Sequence, residues 1–201
     1  MGQLKKAELI EGTVYMAPPV SHEYHGLPHA NLGFWLTMYR ASTPGVSGGD
    51  NSTLRLDVDN EPQPDLYLMI APAHGGQARI SADGFLEGAP ELIAEIAAST
   101  ASYDLHAKLQ VYRRSGVKEY IVWRTYDRQI DYFLLNEGRY ESLTTHEGHP
   151  YRSPTFPGLW LDADAMLAGN LAGVIHTLQQ GMDTPEHAAF VQSLVSAAHK
   201  Q

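Results

Sequence analysis

The sequence predicts an α/β (α+β) fold, a mixed central β-sheet flanked by helices, for its 201 residues. Three observations carry that prediction. "PDLYLMI" and "APELIAEIA" are apolar on both faces, as strands in the middle of a sheet are. Stretches with helical spacing of apolar residues alternate with these strands. A series of short strands, "EYIVW", "QIDYFLL" and "RYESLT", then follows with turn residues between its members, and helices close the chain.

Taken in order, "AELIEGTVYMA" reads as a hairpin, two short strands joined at Glu11-Gly12. "PPVS" breaks the chain, and Ser21 caps a helix running to Arg40 whose apolar stripe is Leu32, Trp35, Leu36 and Tyr39. Pro28 lies inside it, so the regular helix starts there or is kinked. "STPGVSGGDNS" is a turn region. In "STLRLDV", Leu54, Leu56 and Val58 alternate with polar residues, as in a half-exposed strand. After the strand "PDLYLMI", residues 71–90 are rich in Gly and Ala and read as a surface excursion. The strand at 91–97 leads to a helix over 102–115 ended by Gly116. Turn chemistry at Thr125–Arg128 and Asn136-Glu137-Gly138 separates the later strands. "SPTFPGLWLD" is irregular, and Thr184-Pro185-Glu186 starts a helix over 185–199. The expected organisation is one domain over 1–168, with a helical extension over 169–201 packed on it.

Composition excludes several classes. With no cysteine there is no disulfide framework, thiolate nucleophile or cysteine-type zinc site. No apolar run reaches the roughly 20 residues that span a bilayer. The N-terminal lysines are not followed by an apolar segment of a signal peptide, and Lys6 stands where a myristoylation signal has Ser or Thr. The expected location is the cytoplasm. A net charge of −9 argues against broad electrostatic capture of nucleic acid, although residues 104–152 carry 8 basic and 7 acidic side chains. "HGGQ" lacks the Lys-Ser/Thr of a P-loop, and there is no Gly-x-Ser-x-Gly.

The chemistry concentrates on two acidic residues within apolar strands. Strand alternation sets Glu91, Ile93, Glu95 and Ala97 on one face and Leu92, Ala94 and Ile96 on the other. On the preceding strand Asp65 shares a face with Tyr67 and Met69. Two carboxylates among hydrocarbon repel each other unless a counter-charge is present, and a divalent cation supplies one. In "YDLHAKLQVYRRSG", Lys108 falls within the stripe of Leu105, Leu109 and Tyr112, so its ammonium either snorkels outward or turns toward the carboxylates.

The order of these segments, from "ELIEGTVYMAPPVSHEYH" through "PQPDLYLMI", "GAPELIAEIAAS" and "YDLHAKLQVYRRSGVKEYIVW" to "SPTFPGLWLD", resembles the PD-(D/E)XK nuclease superfamily. Within it the chain is similar to the Uma-type restriction endonuclease family. The resemblance implies a restriction-endonuclease-like core and hydrolysis of phosphodiester bonds dependent on Mg²⁺ (or Mn²⁺). It implies nucleic acid, DNA above all, as substrate. By resemblance Asp65 and Glu95 are the catalytic, metal-ligating acids. Ala97 stands where the superfamily lysine belongs, a departure the branch shares, and Lys108 on the next helix takes its part. Tyr112 one turn on, His25 at the first helix start and Glu11 in the hairpin match auxiliary positions, Glu11 as an outer ligand.

His22, His25 and His29 lie on one helical face, but Pro28 disturbs their register, so His22 and His29 read as a wet helix start. Trp35, Trp123 and Trp160 read as packing residues and not as base-stacking platforms. Arg113 and Arg114, at a helix end beside the site, are candidates for contact with nucleic-acid phosphate. The leading expectation is a metal-dependent endonuclease. Its alternative is a nuclease-like module without turnover, acting in binding or assembly. A glycosidase built on the two carboxylates needs a sugar cleft of which the sequence gives no sign. A homodimer through terminal helices or sheet edges is expected.

Overall fold

A computed structural model describes residues 7–16, 19–146 and 148–199 of the chain. The readings placed on Lys6 and the other N-terminal residues lie outside them.

Strands β1 (Ala7–Ile10) and β2 (Thr13–Met16) form the expected antiparallel hairpin. Glu11 and Gly12 at its tip take left-handed backbone angles, φ 51° and 72°, which suit the twist of a two-residue connection. Ser21 then caps a widened π-helical turn, His22–Gly26, by accepting from the Tyr24 N–H. The regular helix α1 (Leu27–Ala41) starts at Pro28, whose missing N–H costs nothing in a first turn. Its stripe of Leu32, Trp35, Leu36 and Tyr39 is buried as expected.

The main sheet contains β3 (Val46–Asp50), β4 (Leu66–Ile70), β5 (Leu92–Ala97), β6 (Glu119–Arg124), β7 (Gln129–Asn136) and β8 (Arg139–Ser142). Its order is β8-β7-β6-β5-β4-β3. β5 and β6 are parallel; every other neighbouring pair is antiparallel. The parallel step needs a crossover, which the helical segment after β5 supplies. That segment is not the single regular helix over 102–115 that the apolar stripe predicts. Ala101–Tyr103 leads into a second π-helical stretch, Asp104–Lys108, and then α2 (Leu109–Ser115), which Gly116 ends in a left-handed conformation.

Three further differences have physical causes. The stretch expected to be a turn around Gly48-Gly49 is the edge strand β3, where a Cβ on Gly48 would lie 2.4 Å from the Tyr67 carbonyl oxygen. In "STLRLDV" only Leu54–Arg55 is a strand. The chain turns at Asp57–Asn60, pinned by the Asn60 Nδ2 bond to Asp57 Oδ1 at 2.8 Å, which leaves Val58 in solvent. The excursion over 71–90 carries the strands Arg79–Ile80 and Leu86–Glu87, which complete a small second sheet with Leu54–Arg55.

Strand alternation divides the core. Leu66, Leu68, Leu92, Ala94 and Ile96 pack on one side with α1 and with Val174, Leu178 and Leu194 of the terminal helices α3 (Leu171–Met182) and α4 (Pro185–Ala198). Tyr67, Met69, Ile93 and Ala97 pack on the other with Tyr112, Val117 and Tyr120. Trp35 and Trp123 are core residues, and the Trp35 indole N–H donates to the Trp160 carbonyl at 2.9 Å. Among the described residues no helix is long and apolar enough to cross a membrane.

Candidate active site

The register of β4 against β5 fixes the acidic pair. Leu66 lies opposite Ala94, so one step further Asp65 comes opposite Glu95. Like charges directly across a ladder repel. Each carboxylate instead leans on the backbone of the other's strand. Asp65 Oδ2 accepts from the Ile96 N–H at 2.8 Å, and Glu95 Oε2 accepts from the Asp65 N–H at 3.3 Å. The remaining oxygens meet side chains from two helices. His25 Nε2 lies 3.4 Å from Asp65 Oδ1, and Glu95 Oε1 accepts from Lys108 Nζ at 2.9 Å and from the Tyr112 hydroxyl at 2.8 Å.

Lys108 therefore does not snorkel. It is 3% exposed and turned inward, and it also contacts Glu8 Oε1 at 2.9 Å and Asp104 Oδ1 at 3.7 Å. Burial alone would lower its pKa, but Glu95, Glu8 and Asp104 together outweigh that and hold it well above the ordinary lysine value. Glu95 is 2% exposed; burial pushes its carboxyl up to about 8, with Lys108 opposing and Asp65, Asp104 and Glu8 adding to the rise. Burial likewise raises Asp104. Tyr112 is raised well above its usual value by burial and then by Glu95, so its hydroxyl remains a donor to that carboxylate.

Among the described residues Glu8, Glu95 and Asp104 surround the Lys108 ammonium, and Asp65 lies across the ladder from Glu95. Buried carboxylates crowded together take up protons or a cation. Whether its donors fit a divalent metal can be judged from their chemistry. Hard oxygen ligands on two adjacent strands suit Mg²⁺ or Mn²⁺, which accept one or two carboxylates and complete their shell with water and substrate oxygen. Among the described residues no three His, Cys, Asp or Glu side chains form a ready metal-binding group. The fit is accordingly to a two-carboxylate site on Asp65 and Glu95 and not to a closed structural site.

The structure brings Asp65, Glu95, Lys108, Tyr112 and His25 together and leaves three expected participants elsewhere. Glu11 is at the exposed hairpin tip, paired with Arg114. The hairpin residue that enters the cluster is Glu8, three positions earlier, whose Oε1 also accepts from the Gln63 N–H at 2.7 Å. A β1 carboxylate must share the buried face with Ile10 to reach the core; Glu8 does, whereas Glu11 is already in the turn. Arg113 donates to the Gln110 side chain and the Gly138 carbonyl at 3.0 and 2.7 Å, and Arg114 is held by Glu11, so neither points into the cluster. His22 is exposed, as expected, but His29 is not merely wet: its Nε2 lies 3.0 Å from the Asp65 carbonyl oxygen. Asp104 was also legible in principle, since it stands four residues before Lys108 on the same segment. Both π-helical turns abut the cluster, one presenting His25 and the other Asp104 and Lys108, in keeping with the frequent placement of such turns at functional sites.

Comparisons with known proteins agree with this architecture. The profile of the Uma2 family, described as "Putative restriction endonuclease", matches residues 1–164. The fold is similar to that of a crystal structure from Anabaena variabilis described as "a putative nuclease belonging to DUF820". The TM-score is 0.62 and the identity 12%, over 81% of this chain and 89% of the other. No curated protein sequence matches the chain.

Proposed function

Because the chain belongs to the Uma2 family, we propose that it is a metal-dependent nuclease that hydrolyses phosphodiester bonds of nucleic acid, with Asp65, Glu95 and Lys108 at its centre. The observation that carries the reading is the meeting of two buried carboxylates, Asp65 and Glu95, across the two central strands, with Lys108 on Glu95. Packing alone does not favour carboxylates buried side by side, whereas a site that admits a divalent cation does.

Asp65 and Glu95 would hold the metal, which supplies Lewis-acid polarisation of a phosphate oxygen and activation of water. The chain's own groups prepare for it. The Ile96 N–H and His25 fix the two oxygens of Asp65, while Lys108 and Tyr112 fix Oε1 of Glu95. Lys108 favours the ionised, ligating form of Glu95 against the burial that disfavours it. The same ammonium, 2.9 Å from Glu95 Oε1, would also stabilise negative charge that develops on the reacting phosphate.

A second reading, a nuclease-like module that binds without turnover, is favoured by two features: Lys108 is enclosed by three carboxylates, and the sheet position at 97 is alanine. Incubation of the purified chain with single- and double-stranded DNA and RNA in Mg²⁺ or Mn²⁺ separates the two. The nuclease reading expects cleavage that EDTA stops and that Asp65→Asn and Glu95→Gln abolish. Calorimetric affinity for nucleic acid with no cleavage under either metal would transfer the site to the second reading.

A further inference from the structure

The side chains best placed to hold a substrate beside the acidic cluster are tyrosines. Tyr24, next to His25, is 37% exposed, and its ring lies 4.8 Å from that of Tyr126, which is 60% exposed. Tyr126 belongs to the turn after β6, whose Thr125 N–H donates to the Ala97 carbonyl at 3.1 Å, two residues beyond Glu95. A second pair lies at the other end of the cluster. Tyr15 on β2 is 39% exposed and its ring is 4.5 Å from that of Tyr103, which in turn is 5.6 Å from Lys108 Nζ. The chain of contacts His25, Asp65, Glu95, Lys108 is therefore bracketed by two tyrosine pairs, each with an exposed ring.

These rings are not placed there by core packing. Tyr24, Tyr126 and Tyr15 expose over a third of their surface, while Tyr39, Tyr112, Tyr120 and Tyr132 are fully enclosed. Both places also carry polar strain. Among the described residues the two buried side-chain atoms without a hydrogen-bond partner are Tyr103 Oη, in the second pair, and Thr125 Oγ1, adjacent to Tyr126. The turn bearing Tyr126 is held from beneath, since Arg124 Nε bonds Asp131 Oδ2 at 2.6 Å and Arg124 also pairs with Asp127. Its ring is presented on a fixed turn.

Among the described residues most cations at the same place are committed, the exposed Arg128 of the Tyr126 turn being the exception. Lys108 is buried, Arg114 is paired with Glu11, Arg124 is committed to two aspartates, and the chain carries a net charge of −9. Duplex and single strand both carry phosphate, but only unpaired bases offer a face on which an aromatic ring can stack. From this we infer that the tyrosine pairs are base-stacking platforms and that the site takes single-stranded or locally unpaired nucleic acid, gripped through its bases. The inference rests on the nuclease reading for its choice of ligand and adds the strand state and the residues that select it.

The test is fluorescence anisotropy of labelled 12-nucleotide single-stranded DNA, single-stranded RNA and duplex DNA of one sequence, with the full chain in EDTA so that no cleavage intervenes. Expected are tighter binding of a single strand than of duplex, a shallower dependence on salt than the duplex shows, and a loss of roughly tenfold or more in Tyr126→Ala and Tyr24→Ala. Tyr126→Trp, which keeps an aromatic face, should retain affinity, and thermal melts should show all three variants folded. The two single strands, compared side by side, tell DNA from RNA. Binding by Tyr126→Ala and Tyr24→Ala equal to wild type, or preference for duplex, overturns the inference. Cleavage with Mn²⁺ is followed in parallel. Duplex cleavage unaffected by the tyrosine variants would remove the stacking platforms and leave the nuclease reading intact. Tyrosine-dependent single-strand binding without cleavage would do the reverse.

Discussion

Replacing Lys108 with methionine keeps the length of the side chain and removes its ammonium from the acidic cluster. Three carboxylates lose a partner, Glu95 and Glu8 at 2.9 Å and Asp104 at 3.7 Å. Removal of one member of a buried ion pair typically costs about 3–5 kcal/mol, because the remaining charge is stranded. Here that cost depends on pH. Glu95 already has its carboxyl raised to about 8 with Lys108 present, against 4.5 for an ordinary glutamate. Each unit of such a shift is worth about 1.4 kcal/mol, so the ionised form is strained by several kcal/mol. A carboxyl raised in the folded chain holds its proton there while the unfolded chain has lost it. Stability from this group is therefore greatest below the unfolded value and declines as pH rises through the folded one. Without Lys108 the folded value rises further. Urea unfolding should show Lys108→Met less stable than wild type by about 3–5 kcal/mol at pH 8.5, and by about half of that or less at pH 5.5. Equal stability at pH 8.5, or a larger deficit at pH 5.5, would refute the assignment of Lys108 as the internal counter-ion.

Asp65→Asn should lose cleavage and, in thermal melts, the stabilisation that Mn²⁺ gives wild type. Glu11→Gln should leave cleavage within twofold and stability within about 0.5 kcal/mol, since its partner Arg114 is exposed, whereas Glu8→Gln should impair cleavage severely in the same assay. Tyr112→Phe deletes a 2.8 Å hydrogen bond to Glu95 Oε1 within a packed core and should cost about 1–2 kcal/mol in urea unfolding.

The centre of the fold was readable because buried strands declare themselves. Asp65 and Glu95 interrupt hydrocarbon on strands whose period assigns their faces, and the stripe of the next helix brings Lys108 near them while leaving both directions of its ammonium open. Resemblance to a nuclease family turned those faces into roles. What escaped was set by tertiary contact. The hairpin reading already puts Glu11 in the turn and Glu8 on the face of Ile10, but which face is buried is set by contact with Gln63 and Lys108. The π-helical stretch at Asp104–Lys108 has no signature in residue spacing, yet it brings Asp104 and Lys108 to one cluster. The edge strand at Gly48-Gly49 looked like a turn, since glycine that admits a neighbouring backbone reads the same as glycine that bends the chain. Aromatic attention went to the tryptophans, which pack, and not to Tyr24 and Tyr126, whose exposure depends on two loops meeting in space.

The central claim, that the acidic cluster is a metal-dependent catalytic centre on Asp65 and Glu95, is tested most directly by anomalous diffraction from crystals of the chain soaked in Mn²⁺. The account predicts a peak within coordination distance of both carboxylates, absent from Asp65→Asn crystals grown alike. An empty cluster at saturating Mn²⁺, with Glu95 still held by Lys108, Tyr112 and the Asp65 N–H, would contradict it.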